Sequence, residues 1–169
     1  MFFNVLALYA QNAAELYIEK FKPLAIEVSV KYHIPVSLIL GIALHESASG
    51  TSKICVSKNN HFGVKGRVKS SKTKSGYTTA FRKFETDEAS YQHIGELISK
   101  RKYYPALKGN LDYLKWLKAI KASGYARSPS WISVIDKTIK RYNLTRFDIP
   151  YYELITPLQS PRNPTILVK

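Results

Sequence analysis

The chain has 169 residues, 45% of them apolar and 22% charged, which suits one globular domain and excludes disorder of the chain as a whole. Lys and Arg number 26 and Asp and Glu 12, and the resulting net charge of +14 attracts anionic partners without distinguishing nucleic acid, a membrane surface or a cell wall. The only cysteine, Cys55, excludes an internal disulfide and is expected to be buried, and the sequence has no metal-ligand pair or nucleotide-binding motif, so we predict no metal and no cofactor.

The first helix is predicted after Asn12. Residues 1–10 are apolar but lack the basic start of a signal peptide, and no segment predicts a transmembrane span. Asn12 and Glu15 have the spacing of a capping box, which puts the start of the helix there and its end near Tyr32. Pro23 is expected to kink or split it. The predicted inward residues are Leu16, Ile18, Phe21, Leu24, Ala25 and Val28.

A second helix follows Pro35, which suits a first helical turn. Residues 36–44 are apolar nearly all round, so this helix is expected to be buried centrally. It ends in His45, Glu46 and Ser47. Burying a charge is costly unless something compensates for it, so Glu46 is either a functional residue or an ordinary surface or capping glutamate.

Residues 48–58 are small and polar and predict a loop, and residues 59–63 predict a turn. Residues 64–84 have the aromatic and β-branched character of a β-hairpin whose tip lies near residues 72–76. This hairpin holds seven Lys and Arg and no carboxylate between Lys65 and Lys83, which favours either a surface for anionic polymers or a solvated basic loop.

Three more helices are expected after the hairpin. Thr86 caps the first, Asn110 or Asp112 caps the second before Gly124 stops it, and Ser128-Pro129 opens the third.

The chain from residue 149 onward carries four of the eight prolines and cannot continue a helix. We therefore predict a mostly α, α+β domain over residues 1–148, followed by a Pro-rich tail over residues 149–169.

Glu46 is a candidate for the acid of a glycosidase. Glycoside hydrolysis needs a carboxylic acid that keeps its proton near neutral pH, and a carboxyl group at the end of an apolar helix is suitably placed. Sugar sites also use aromatic and amide side chains, which Asn60, Phe62, Tyr77, Phe81 and Tyr125 supply. On spacing alone Phe62 and Phe81 are more typical of the core than of a cleft. Tyr125 is as typical of a packing tyrosine as of a site, and Asn60 is typical of a turn. His45 and His61 are not expected to be catalysts, and Trp116 and Trp131 are expected in the core or at a groove edge.

Five stretches in a fixed order identify a family resemblance over about residues 14–148. They are Ile34-Pro35-Val36-Ser37, then Leu44-His45-Glu46-Ser47, Asn59-Asn60-His61-Phe62-Gly63-Val64-Lys65, Phe81-Arg82-Lys83-Phe84 with Glu88-Ala89-Ser90-Tyr91, and Asp112-Tyr113-Leu114-Lys115-Trp116 with Gly124-Tyr125-Ala126. Together they resemble the glucosaminidase family of peptidoglycan hydrolases, which includes autolysins and flagellar rod-associated hydrolases, in the form of a Bacteroidetes-type single domain.

The resemblance implies a lysozyme-like helical domain with one inserted hairpin lobe, and a cleft between the two. It implies an endo-β-N-acetylglucosaminidase-like or muramidase-like hydrolase of peptidoglycan, acting as a monomer in the periplasm or outside the cell. Glu46 would be the general acid, and Tyr125 would hold substrate or water beside it. The substrate would contact a floor and a hairpin lip made of Asn60, Phe62, Gly63, Tyr77 and Phe81.

One departure from the family concerns the second carboxylate that the usual glycosidase mechanism needs. No Asp or Glu lies between Glu46 and Glu85. Three options follow: Glu85, Asp87 or Glu88 reaches the cleft, the 2-acetamido group of the substrate assists, or the domain binds peptidoglycan without cleaving it. A nucleic-acid binder is disfavoured, because the basic residues do not interleave with aromatic residues as a base-stacking surface requires.

Overall fold

The computed structural model of the chain describes residues 2–69 and 77–148, with side chains described for residues 13–66 and 80–148. The hairpin tip and the Pro-rich tail lie outside these ranges. The helices are α1 (Phe2–Tyr32), α2 (Val36–Ser47), α3 (Lys53–Lys58), α4 (Asp87–Ser99), α5 (Tyr104–Leu107), α6 (Tyr113–Ala122) and α7 (Trp131–Arg141), followed by a 3-10 helix (Leu144–Phe147). The strands are β1 (Lys65–Lys69) and β2 (Tyr77–Phe81). The predicted fold class, α+β and mostly α, is confirmed.

Helix α2 is the centre of the core, as its apolar sequence predicts. All residues from Val36 to Leu44 are buried, and the helix contacts α1, α6, α7 and the 3-10 helix. Gly41 lets α7 approach closely, since a Cβ atom there would lie 2.7 Å from Ile139 Cγ1. The helix ends at Ser47, and Ala48 takes the left-handed conformation that closes it. Glu46 is therefore in the last turn of the most buried helix.

Helix α1 is longer than the sequence predicts. It begins at Phe2 and runs through Asn12, so the predicted capping box is wrong. Pro23 lies inside the helix and does not split it. Ile18, Phe21, Ala25 and Val28 are buried and Leu24 packs against them, but Leu16 is 64% exposed, so its predicted inward position is wrong. No helix within the described ranges combines the length and the apolar character needed to cross a membrane.

The predicted hairpin forms from β1 and β2, which pair antiparallel with Lys65 opposite Phe81 and Lys69 opposite Tyr77. The loop predicted over residues 48–58 is partly wrong, because its second half forms α3. The Ser52 hydroxyl caps this helix by accepting a hydrogen bond from the backbone N–H of Cys55. Cys55 is buried, as predicted.

The helices after the hairpin begin close to the predicted caps. The Thr86 hydroxyl accepts a hydrogen bond from the backbone N–H of Ala89, and Asp112 rather than Asn110 caps α6. Helix α7 begins two residues after Pro129, at Trp131, so the predicted opening at Ser128-Pro129 is slightly too early. Helix α5 and the 3-10 helix were not predicted, since each is a single turn with little periodicity.

The described chain ends at a contact with the start of α2. Asp148 is 3% exposed, and its two carboxylate oxygens accept hydrogen bonds from the backbone N–H and the hydroxyl of Ser37, at 2.9 and 2.7 Å. Burial raises the pKa of Asp148, although the hydrogen bonds from Ser37 oppose this shift. Because Pro35 precedes α2 and makes no side-chain cap, Asp148 supplies the missing N-terminal cap from the other end of the domain.

We expect Asp148→Ala to lower the free energy of unfolding by about 2 kcal/mol, because two buried donors of Ser37 lose their acceptor. Asp148→Asn should cost less, since its amide oxygen still accepts one of the two bonds. Urea denaturation followed by circular dichroism measures both changes. Glu27→Ala, at an exposed position, is the control, and an equal loss in this control would contradict the capping role.

Candidate active site

Glu46 lines a cleft of about 520 Å³ between the base of the hairpin and the segment that joins α6 to α7. The lining residues are Glu46, Phe62, Gly63, Val64, Lys65, Leu97, Gly124, Tyr125 and Arg127. Four of the seven residues predicted for the site, namely Glu46, Phe62, Gly63 and Tyr125, thus come together although the chain separates them by up to 79 positions (125 − 46).

The Glu46 carboxyl group is held by Trp131, the first residue of α7. The indole Nε1–H donates a hydrogen bond to Glu46 Oε1 at 2.8 Å, and Trp131 is only 2% exposed. The other oxygen, Oε2, faces Gly63, where a Cβ atom would lie 3.2 Å away. Since an indole N–H only donates, Oε1 is engaged as an acceptor, and no hydrogen bond within the described residues engages Oε2.

Tyr125 connects this carboxyl group to the cleft floor. Its hydroxyl donates a hydrogen bond to the backbone oxygen of Phe62 at 2.7 Å, and its ring centroid lies 5.7 Å from that of Trp131. Burial, with the charge of Glu46 adding to it, raises the pKa of Tyr125 well above 10. The phenol therefore stays protonated at neutral pH and is not a base.

Asn60 does not line the cleft, so its expected direct contact with a sugar needs correction. It is 1% exposed, its amide N–H groups donate to the backbone oxygens of Val64 and Arg82, both at 2.8 Å, and its oxygen accepts from the Val64 N–H at 2.9 Å. All its hydrogen-bonding groups on the side chain are used, so Asn60 joins the two strands at the base of the hairpin instead.

Two aromatic residues of the hairpin, Tyr77 and Phe81, were predicted to contact the substrate. Phe81 does not line the cleft, but its ring contacts Lys65, which does, with the Lys65 ammonium 5.4 Å from the ring centroid. Tyr77 has its backbone in β2, and its side chain lies outside the described residues. The ring of Phe62 is 1% exposed and packs edge-on against Tyr91, so Phe62 contributes to the floor while its ring belongs to the core.

Behind the floor, His61 is the centre of a buried hydrogen-bond chain. Its Nε2 lies 2.8 Å from Asp87 Oδ1 and its Nδ1 lies 2.7 Å from the Tyr17 hydroxyl, which is 3.1 Å from the Tyr91 hydroxyl. Burial lowers the pKa of His61, although Asp87 opposes this shift. In the neutral ring, Nε2–H donates to the carboxylate and Nδ1 accepts from Tyr17. The chain ties the cleft floor to α1 and α4.

Glu46 is the only carboxylate among the described residues that line the cleft. Asp87 binds His61 on the opposite side of the floor, and Glu85 and Glu88 are exposed and do not line the cleft. The hairpin tip has no Asp or Glu in its sequence, and Glu153 is the only acidic side chain outside the described residues. Nowhere in residues 2–69 and 77–148 do three His, Cys, Asp or Glu side chains come together as a metal site requires.

The role of Trp131 is the one part of this geometry that the sequence did not indicate. A tryptophan at the start of a helix with an apolar stripe is as typical of the core as of a site. Only the fold brings its N–H to a carboxylate 85 residues earlier in the chain.

Comparisons with known proteins agree with this architecture. The sequence model of the Glucosaminidase family, described as mannosyl-glycoprotein endo-beta-N-acetylglucosaminidase, matches residues 22–144. The chain is 31% identical over 136 residues to exo-glucosaminidase LytG of Bacillus subtilis, a match that covers 70% of this chain and 48% of LytG. The chain therefore spans about half the length of this curated relative.

Solved structures share the fold. The catalytic domain of the autolysin Auto from Listeria monocytogenes is similar with a TM-score of 0.62 and 20% identity, over 80% of this chain and 88% of that domain. The glycoside hydrolase domain of FlgJ from Salmonella typhimurium is similar with a TM-score of 0.60 and 18% identity, over 83% of this chain and 95% of that domain. At these identities the likeness concerns the fold.

We expect the free energy of unfolding to fall as the pH drops below 6.5. The unfolded chain then binds a proton on His61 at the ordinary pKa of 6.5, whereas the folded chain, in which that pKa is lowered, does not. One such proton contributes at most about 1.4 kcal/mol per pH unit. Chemical denaturation at a series of pH values measures the slope, which His61→Gln should flatten.

His93, whose pKa burial also lowers, provides the matched control. His93→Gln should remove only its own part of the slope. A pH profile that is the same with and without His61 would contradict the buried neutral state of this ring.

Proposed function

We propose, from the premise that this chain belongs to the glucosaminidase family, that it is a peptidoglycan hydrolase that cleaves the glycan strands with Glu46 as its general acid. The observation that carries the proposal is the Glu46 carboxyl group, held by the Trp131 indole at 2.8 Å and facing a cleft of about 520 Å³. The chain spans only about half the length of LytG, so the proposal rests on the cleft of this chain itself.

The first step is transfer of a proton to the glycosidic oxygen. Trp131 commits Oε1 as an acceptor, so the proton leaves from Oε2, on the side of Gly63. The absence of a side chain at Gly63 leaves room for the leaving-group oxygen near Oε2. As the proton moves to that oxygen, the bond from C1 breaks, its electron pair goes to the departing alcohol, and Glu46 becomes a carboxylate.

The group that replaces the leaving group at C1 comes from the substrate. Glu46 is the only carboxylate lining the described cleft, so no second carboxylate there acts as nucleophile or base. The carbonyl oxygen of the 2-acetamido group attacks C1 and closes an oxazolinium ring. Water then attacks C1 from the other face, Glu46 takes its proton, the ring opens, and the product keeps the β configuration.

Tyr125 and Asn60 support this chemistry without transferring protons. The Tyr125 hydroxyl donates to the Phe62 backbone oxygen and so fixes the floor under the sugar, and its own oxygen still accepts a hydrogen bond from substrate or water. Asn60 fixes the base of the hairpin. The substrate lies outside the cytoplasm, so we place the activity in the periplasm or outside the cell.

We expect Glu46→Gln to lower the rate of glycan cleavage by about 1,000-fold or more, because the amide has no acidic proton to transfer. Digestion of purified peptidoglycan with mass spectrometry of the products measures the loss, and the new reducing sugar identifies the bond. Nuclear magnetic resonance of the first product should show the β anomer.

The alternatives have distinct outcomes in the same experiment. Glu85→Gln, Asp87→Asn and Glu88→Gln are the controls for a second carboxylate. A loss with Glu85→Gln or Glu88→Gln, or an α anomer, would contradict substrate assistance. If wild type cleaves nothing but sediments with the wall, the domain is a binding module and not an enzyme.

We expect Trp131→Phe to lower kcat about tenfold to hundredfold with little change in KM, because Glu46 loses the hydrogen bond that orients it. Trp116→Phe is the matched control: its indole N–H donates to the backbone oxygen of Asn110 at 2.7 Å, far from the cleft lining. That control should lose stability while keeping kcat. Equal kcat values for the two variants would contradict the positioning role of Trp131.

A further inference from the structure

We propose that Lys65 and Arg127 bind carboxylate groups of the substrate, so that the cleft prefers glycan strands that carry carboxylates over neutral ones. This inference rests on the proposed cleavage of glycan strands and adds the feature of the strand that the cleft selects. It concerns two cations that pair with no carboxylate of the described residues.

The two cations reach the cleft from different parts of the chain. Lys65 is the first residue of β1, on the hairpin, and Arg127 lies in the segment between α6 and α7. Both side chains are exposed and both line the same cleft as Glu46. Because Glu46 is the only carboxylate among the described lining residues, cations outnumber anions in this lining by two to one.

Neither cation is neutralised by the described part of the protein. No side-chain hydrogen bond or ion pair within the described residues engages Lys65 or Arg127, and the Lys65 ammonium lies over the face of Phe81, 5.4 Å from the ring centroid. In contrast, Lys140 pairs with Asp136 one helical turn away, at 2.8 Å. A cation that stays unpaired beside a cleft keeps its charge and its N–H donors for a ligand.

Carboxylates are the anions that a peptidoglycan strand offers. They come from the stem peptide or, on a sugar without a stem, from the lactyl group of N-acetylmuramic acid, whose carboxyl group the stem otherwise holds in an amide bond. The planar Arg127 guanidinium suits a carboxylate that accepts two parallel hydrogen bonds, whereas the Lys65 ammonium acts as a point charge. A polymer of N-acetylglucosamine alone has no anionic group that would pair with either side chain.

The test compares cleavage rates on native peptidoglycan and on the same material after its carboxyl groups have been converted into neutral amides. We expect wild type to cleave the amidated strands about tenfold more slowly, as the loss of two exposed charge pairs implies. The double variant Lys65→Gln, Arg127→Gln should cleave both substrates at the same, lower rate. Lys102→Gln, Lys118→Gln carries the same change in net charge at exposed positions outside the cleft and should keep the wild-type preference.

A third substrate separates the two sources of carboxylate. Removing the stem peptides with an amidase takes away their carboxylates and frees the lactyl carboxylate to which each stem was joined. If wild type still prefers these strands to their amidated form, the cleft also binds the lactyl carboxylate, and if that preference disappears, the stem peptide supplies the ligand.

Two results would overturn the inference: wild type that cleaves native and amidated strands equally, or a double variant that keeps the preference. Failure of the proposed function has a different signature, since wild type would then release no reducing sugar from any substrate. In that case sedimentation of wild type with native and amidated walls still tests carboxylate binding. Equal sedimentation with both would overturn it.

Discussion

The site depends on one carboxyl group, that of Glu46, in the last turn of helix α2, whose residues from Val36 to Leu44 are all buried. Helix α2 is fixed at both ends by the C-terminal part of the chain: Asp148 caps its start through Ser37, and Trp131 holds Glu46 in its last turn. Between these points Gly41 lets α7 lie directly against α2. Since a carboxyl group on a frayed helix end would sample many positions, this double attachment is what gives Glu46 one orientation relative to the cleft.

Each residue of the cleft floor, from Asn60 to Gly63, has a different structural role. Asn60 joins the hairpin strands, His61 turns into the buried chain with Asp87 and Tyr17, and Phe62 fills the core while its carbonyl binds Tyr125. Gly63, at φ +60°, lets the backbone turn and leaves space beside Glu46 Oε2. The polar side chains of this short loop are all hydrogen-bonded, Asn60 to the base of the hairpin and His61 to the buried chain. Such a satisfied network holds a loop in one conformation.

The sequence predicted most of the fold because its signals are local: the apolar run of α2, the Thr86 and Asp112 caps, and the aromatic and β-branched residues of the hairpin. It failed where packing overrides local preference. Asn12 looks like a cap but lies inside α1, and Leu16 fits an inward stripe but is exposed. At the site, the motifs pointed to Glu46, Phe62, Gly63 and Tyr125, which line one cleft, while the roles of these residues stay predictions. They did not reveal that Asn60 uses all its side-chain hydrogen bonds internally, or that Trp131 contacts Glu46.

The missing second carboxylate and the unpaired cations belong to one electrostatic arrangement. A second Asp or Glu in this lining would form an ion pair with Lys65 or Arg127. That pair would neutralise the positive charge that otherwise attracts the ligand. In the proposed mechanism both roles would pass to the substrate: its acetamido oxygen would attack C1 and its carboxylates would pair with the cations. Such a cleft is complementary only to a strand that carries both groups. A neutral strand would leave the two cations unpaired, and a strand without the acetamido group would leave C1 without a nucleophile. Selectivity would then follow as much from the absence of a second carboxylate in the described lining as from the two cations.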